Sequence, residues 1–108
     1  MTVAELAAAL ELTPISEADP GREITGGYVG DLLSWVMGRA SSGDVWFTIM
    51  SNANVVAVAT LADTAAVVLA EGVTLPNDIV SLARAKGVNI YGSDKSAFYL
   101  CGKTAALL

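Results

Sequence analysis

The sequence predicts an α/β domain of three layers, a mostly parallel sheet flanked by helices. Three observations predict it. From Asp44 onward, strand-like and helix-like apolar patterns alternate regularly, the order that builds a parallel sheet with right-handed crossovers. Gly26, Gly27 and Gly30 sit directly before an apolar helical pattern, as in a strand-to-helix turn. Helix start and stop signals fall at the joints of that alternation, for example Pro76-Asn77-Asp78 and then Gly87.

Taken in order, Thr2-Val3-Ala4-Glu5 is a capping-box pattern, and Leu6, Ala9 and Leu10 follow at helical spacing, so a first helix is expected over Val3 to Leu10. Thr13 to Gly21, with Pro14, Asp19, Pro20 and Gly21, reads as a connecting loop. Residues 1–21 are thus an N-terminal helix and loop, and residues 22–108 the α/β core of a single domain. Arg22 to Val29 reads as a strand entering the glycine turn. Asp31 then suits the cap of a helix whose Leu32, Leu33, Val36, Met37 and Ala40 share one face. Ser41-Ser42-Gly43 ends it. Asp44 to Ser51 alternates as a strand covered on both faces.

Asn54 to Leu61 fits two states. Its β-branched run favours a strand, while Asn52 or Asn54 suits a helix cap. Helix is preferred, because the strand expected at Ala65–Ala70 follows too closely for a parallel pair without a crossover. After the Pro76 helix, Val88 to Tyr91 is a short strand. A last helix capped by Ser93 or Asp94 runs to about Leu107, with Phe98, Cys101, Ala105 and Leu108 on one side. Ligands of such sheets bind beyond the C-terminal strand ends, which places Ser51–Asn54, Ala70–Thr74 and Gly92–Asp94 at the expected binding edge.

Composition narrows the function. Hydrophobic residues make up 54% of the chain and charged ones only 16%, low against the usual quarter. One domain of 108 residues has too little interior for that apolar surface, so part of it is expected to meet a partner, most simply a second copy. The net charge of −5, with six scattered basic residues, argues against nucleic acid and against an anionic membrane surface. In the longest apolar region, Ala53 to Ala70, Asp63 alone would cost roughly 2.5–3.5 kcal/mol on insertion, so no membrane span is expected. There is no histidine and one cysteine, Cys101. That excludes a Cys/His zinc site, a CxxC redox pair and a histidine-based triad. No metal and no cofactor are expected, and a lone buried thiol fits a reducing cytoplasm.

Gly102-Lys103-Thr104 lacks the context of a phosphate-binding P-loop, since Ala97 stands where the first glycine belongs and no long helix follows. Gly26-Gly27-Tyr28-Val29-Gly30 approaches a dinucleotide fingerprint without matching it. It remains the place best suited to holding something, because glycine lets backbone N–H groups approach a ligand closely. Arg22 and Asp31 form a candidate ligand pair, guanidinium for an anion and carboxylate for a hydroxyl. Arg22 suits an ion pair with a nearby acid equally well. The candidate ligand-binding residues are Arg22, Thr25, Gly26, Gly27, Asp31 and Asn54. No nucleophile with a base is visible, so no catalytic residue is expected.

The segments Arg22 to Leu33, Asp44 to Ile49 and Asn54 to Ala59, followed by Ala66-Val67-Val68-Leu69, the Pro76 helix, Val88-Asn89-Ile90-Tyr91 and Ser93-Asp94, together resemble the DRTGG domain family. The resemblance covers nearly all of the chain from Arg22 onward. In the family pattern the arginine directly precedes Thr-Gly-Gly. Here Glu23 and Ile24 intervene, so the pattern carries over at Thr25, Gly26 and Gly27. The family is similar to the N-terminal domain of HPr kinase/phosphorylase and occurs within some phosphotransacetylases and nucleotide-regulated pyrophosphatases. The resemblance implies a non-catalytic regulatory or protein-interaction domain, homodimeric on the composition argument. The alternative is a sensor of a nucleotide or phosphorylated metabolite at the Thr25–Asp31 turn.

Overall fold

The computed structural model describes residues 1–108 and contains five helices and five strands. In chain order they are α1 (Val3–Ala9), β1 (Thr13–Ser16), β2 (Gly26–Val29), α2 (Leu33–Arg39), β3 (Asp44–Thr48), α3 (Ala53–Ala62), β4 (Ala66–Leu69), α4 (Asn77–Ala85), β5 (Ile90–Gly92) and α5 (Ala97–Leu107). The strands form one sheet in the order β1-β5-β4-β3-β2. β2 to β5 are parallel, and β1 joins β5 antiparallel.

The sheet is buried on both faces. On one face Val45, Phe47, Ala66, Val68 and Tyr91 pack with Val3, Leu6 and Leu10 at α1 and Leu100 of α5. On the other, Trp46, Val67, Leu69 and Ile90 pack with Val36 of α2, Val55, Val56 and Ala59 of α3, and Ala83 of α4. Alternate residues of each strand serve opposite layers, as strand geometry requires. This is the expected three-layer α/β architecture.

Local chemistry sets most element ends. The capping box of α1 is present, with Glu5 N–H donating to the Thr2 hydroxyl at 3.2 Å and Thr2 N–H to the Glu5 carboxylate at 2.9 Å. The ambiguous Asn54–Leu61 segment is helical, within α3, and Asn52 caps it. α4 starts at Asn77 after Pro76, and Gly87 follows its end at φ +70°, a value glycine adopts without steric cost.

Several expectations are corrected. Thr13–Gly21 is not all loop, because it contains β1. Pro14 is compatible with a strand there because β1 is an edge, and Ser16 is fixed by donating its hydroxyl to Val88 O at 2.7 Å. Residues 22–25 precede β2 rather than belonging to it. Glu23 bridges Thr2, and Ile24 N–H donates to Met1 O at 2.8 Å. The expected Asp31 cap is absent: α2 begins after Leu32 with no side-chain cap. β3 ends at Thr48, and Ile49 is 47% exposed. α5 starts after Ser96, not Ser93 or Asp94, with the Ser96 hydroxyl accepting from Tyr99 N–H. Its buried side carries Leu100 and Thr104, while Phe98 is 90% exposed.

Candidate functional site

β2 divides the expected site. Arg22, Thr25 and Gly26 lie at the end where β2 begins, and Asp31 and Asn54 at the end where β2 and β3 finish. The strand between them rises roughly 3.3 Å per residue, so no compact group touches both sets.

At the starting end the side chains are engaged with one another. Arg22 Nη1 donates to Asp63 Oδ1 at 2.8 Å, and Nη2 to the Asp63 carbonyl at 2.8 Å. Ser42 donates its hydroxyl to the other Asp63 oxygen. Asp63 ends α3 in the left-handed region at φ 56°, which a short polar side chain tolerates better than most. Hydrogen bonds from Arg22 first, and then Ser42, hold its carboxyl down at about 2. Thr25 donates its hydroxyl to Ser42 O at 3.3 Å and its N–H to Gly43 O at 3.0 Å. Gly43 is at φ +86°, and a Cβ there would run into the Thr25 hydroxyl, so this crossing requires glycine. At Gly26 a Cβ would lie 2.7 Å from Asp44 Oδ1, whose partner oxygen accepts from Ser41 N–H.

Beside this cluster lies a small polar cavity of about 110 Å³, lined by Arg22, Thr60, Asp63, Thr64 and Lys86 among others. The α3 and α4 C-termini both end there. Their dipoles favour cations, which suits Arg22 and Lys86 as structural complements.

At the finishing end, Asp31 Oδ1 accepts from the Thr48 hydroxyl at 2.8 Å and from Ile49 N–H at 2.9 Å. Its carboxylate therefore locks the turn after β2 to the end of β3. Trp46 Nε1 reinforces the same turn, donating to Gly30 O at 2.9 Å. Asn54 stands exposed in the first turn of α3, its N–H donating to Asn52 Oδ1 at 2.9 Å. The loops expected at the binding edge do follow the ends of β3, β4 and β5. A shallow cavity of about 220 Å³ there is lined by Thr13, Thr74, Ser93 and Asp94 among others.

The central glycine, Gly27, belongs to a third place. A Cβ on it would make only ordinary contacts, 3.6 Å from Val45 O. It forms one side of an apolar groove of about 260 Å³ between β2 and α5, with Val29, Phe47, Cys101, Ala105 and Leu108. The Cys101 thiol is unpaired, and burial pushes its pKa up. Gly102-Lys103-Thr104 lies inside α5, where the Thr104 hydroxyl donates to Leu100 O at 2.8 Å.

The sequence reading did not single out the Ser42–Asp63 partners of Arg22 and Thr25, nor the groove. An aspartate directly after an apolar helical run was the only signal for Asp63. The groove leaves a clearer trace, because Cys101, Ala105 and Leu108 share one side of α5 in the sequence and together border an open face.

No family model matches the chain, and no curated protein matches it. Among solved structures, it superposes on the CBS and DRTGG domains of the regulatory region of Clostridium perfringens pyrophosphatase, a structure complexed with the activator diadenosine tetraphosphate. The TM-score is 0.73 at 14% identity, over 94% of this chain and 44% of that chain. The present chain thus spans less than half the length of that one. The likeness concerns the fold, which is DRTGG-like. No helix is long and apolar enough to cross a membrane.

Proposed function

We propose that this chain is a non-catalytic regulatory domain that associates with itself and transmits or receives a signal through that contact. The DRTGG-like fold, shared with part of a regulatory region, carries the reading. The state of the candidate residues supports it. Arg22, Thr25 and Asp31 spend their polar groups on holding loops together, which is the work of a scaffold. Exposed Val29, Leu32, Trp35, Phe98 and Leu108 supply apolar surface for a partner. A cytoplasmic setting belongs to the same reading.

A second reading is a sensor of a nucleotide or phosphorylated metabolite. It is favoured by the diadenosine tetraphosphate in the similar structure. Because β2 separates the candidate residues, such a ligand would use one end: Arg22, Thr25 and Gly26, or Asp31 and Asn54.

A thermal-shift screen against adenine and guanine nucleotides, dinucleoside polyphosphates and acyl phosphates separates the two. Ligand at 100 times its dissociation constant stabilises by about 2.7 kcal/mol, a rise of several degrees in Tm. A hit abolished by Asp31→Ala or by Arg22→Ala would establish the sensor and say which end binds. A flat screen with a concentration-dependent oligomer supports the interaction domain.

A further inference from the structure

The helices leave the sheet toward different sides. α2, α3 and α4, which follow β2, β3 and β4, pack on one face through Val36, Val55 and Ala83. α5, which follows β5, packs on the other through Leu100. β4 and β5 are parallel neighbours. They are therefore the one adjacent pair of parallel strands whose outgoing chains turn to opposite faces. In an open α/β sheet such a switch point opens a crevice outside the C-terminal strand ends, and ligands bind there. The shallow cavity of about 220 Å³ lies at this place. Gly72 to Thr74 reach it from the chain after β4, and Ser93 and Asp94 from the chain after β5. Thr13 of β1, paired with Gly92, borders it from the antiparallel edge.

Main-chain bonds fix its walls. Glu71 N–H donates to Lys95 O and Gly72 N–H to Ser93 O, both at 2.9 Å. Gly72 sits at φ +74°, and a Cβ on it would meet nothing within 4 Å, so the wall there faces open space. The lining is polar at its rim, with the hydroxyls of Thr13, Thr74 and Ser93 and the carboxylate of Asp94. The Thr13, Thr74 and Asp94 side chains take no part in the chain's own hydrogen bonds and ion pairs. The Ser93 hydroxyl accepts from Lys95 N–H at 3.1 Å and keeps its own proton to donate. Arg22, Thr25 and Asp31 are the opposite case, with their polar groups engaged. No lysine or arginine lines the cavity, so a phosphate would find no countercharge.

We propose that this switch-point cavity binds one uncharged sugar ring, free or as the sugar of a nucleoside. Neighbouring ring hydroxyls donate to the Asp94 carboxylate, and the Thr13, Thr74 and Ser93 hydroxyls serve the remaining ring oxygens. Ile15 and Val73 give the C–H side of the ring an apolar wall. The volume lies below the roughly 300–1,000 Å³ of sites for larger ligands, which limits the buried part to a single ring. Both the place and the ligand differ from those of the nucleotide reading above, and either stands without the other.

Amide chemical-shift mapping on the whole wild-type chain tests this, with ribose, glucose, adenosine and AMP as probes at millimolar concentration. At least one of ribose, glucose and adenosine should shift Gly72, Val73, Thr74, Ser93 and Asp94 saturably, and the set that does so says whether the ring is free or part of a nucleoside. Asp94→Ala should weaken that binding about tenfold, as loss of a hydrogen bond to a charged acceptor does. Asp94 is exposed, and the spectrum of the variant itself reports its fold. No saturable shift at these amides with any uncharged probe would overturn the proposal, as would unchanged affinity in Asp94→Ala. AMP bound more tightly than adenosine at these amides would overturn the uncharged ligand. Shifts centred on Thr25 and Gly26, or on Asp31 and Asn54, would overturn this site and leave the nucleotide reading standing.

Discussion

Arg22 grips Asp63 at two points, through the carboxylate and through the backbone carbonyl, both at 2.8 Å. The clamp ties the segment before β2 to the turn between α3 and β4, 41 residues away. It makes a pH prediction. Asp63 is held at about 2, below its ordinary value of 3.8, by the hydrogen bond from Arg22 and then that from Ser42. A folded value below the unfolded one means that this stabilisation is complete above pH 3.8 and is lost as pH falls toward about 2. Melting temperatures of the wild type and Arg22→Ala should therefore differ at neutral pH and converge across that window. The difference is small, because solvent reaches both side chains, and salt reduces it further. A gap unchanged down to pH 2 would refute the clamp.

Asp31 anchors β2 to β3 rather than capping α2. Asp31→Ala removes the acceptor for Thr48 and Ile49 together and should cost about 1–2 kcal/mol, at the charged-acceptor end of hydrogen-bond contributions. Asp31→Asn keeps an oxygen in place and should recover most of that loss. Urea midpoints at constant m-value measure both. An undisturbed midpoint for Asp31→Ala would return Asp31 to consideration as a group held free for a ligand.

Asn89, 4% exposed, ties the loop after β1 to the core. Its Nδ2 donates to Asp19 O at 2.7 Å and Ala65 O at 2.9 Å, while Oδ1 accepts from Asp19 N–H at 2.7 Å. Asn89→Ala removes all three bonds, although Asp19 O keeps the N–H of Arg22, and should cost about 2 kcal/mol. The measurement is equilibrium denaturation, with amide exchange at Asp19 reporting whether the loop has come loose.

Thr64 has the opposite character. Its hydroxyl is buried with no hydrogen-bond partner. Thr64→Val preserves shape and β-branching while removing a desolvated oxygen. It should leave stability unchanged or raise it by about 1 kcal/mol. A loss above that size in thermal denaturation would mean the hydroxyl has a partner in solution.

The layer structure was legible because the strands from Asp44 onward are short, largely apolar runs that alternate with helical patterns. Capping chemistry was equally readable at Thr2–Glu5. β1 was not, since Thr13-Pro14-Ile15-Ser16 shows turn-like composition and becomes a strand only because β5 offers it an edge. Which face of α5 is buried was not readable either. Phe98, Cys101, Ala105 and Leu108 form the more apolar stripe, yet the helix seats Leu100 and Thr104, and Thr104 can be buried because its hydroxyl bonds back to Leu100 O. Five of the six candidate site residues, Arg22 to Asp31, form one cluster in sequence, with Asn54 apart. The extended backbone between Gly26 and Val29 separates them, and proximity in sequence carries no information about that until the strand is placed. Asp63 lies far from Arg22 along the chain, so its pairing waited on the fold.

Self-association is what the proposed function of this DRTGG-like domain requires. Sedimentation velocity of the wild-type chain, from low to high micromolar concentration at neutral pH, tests it most directly. A reversible dimer whose population grows with concentration is the predicted result. A single monomeric species across the whole range would contradict it.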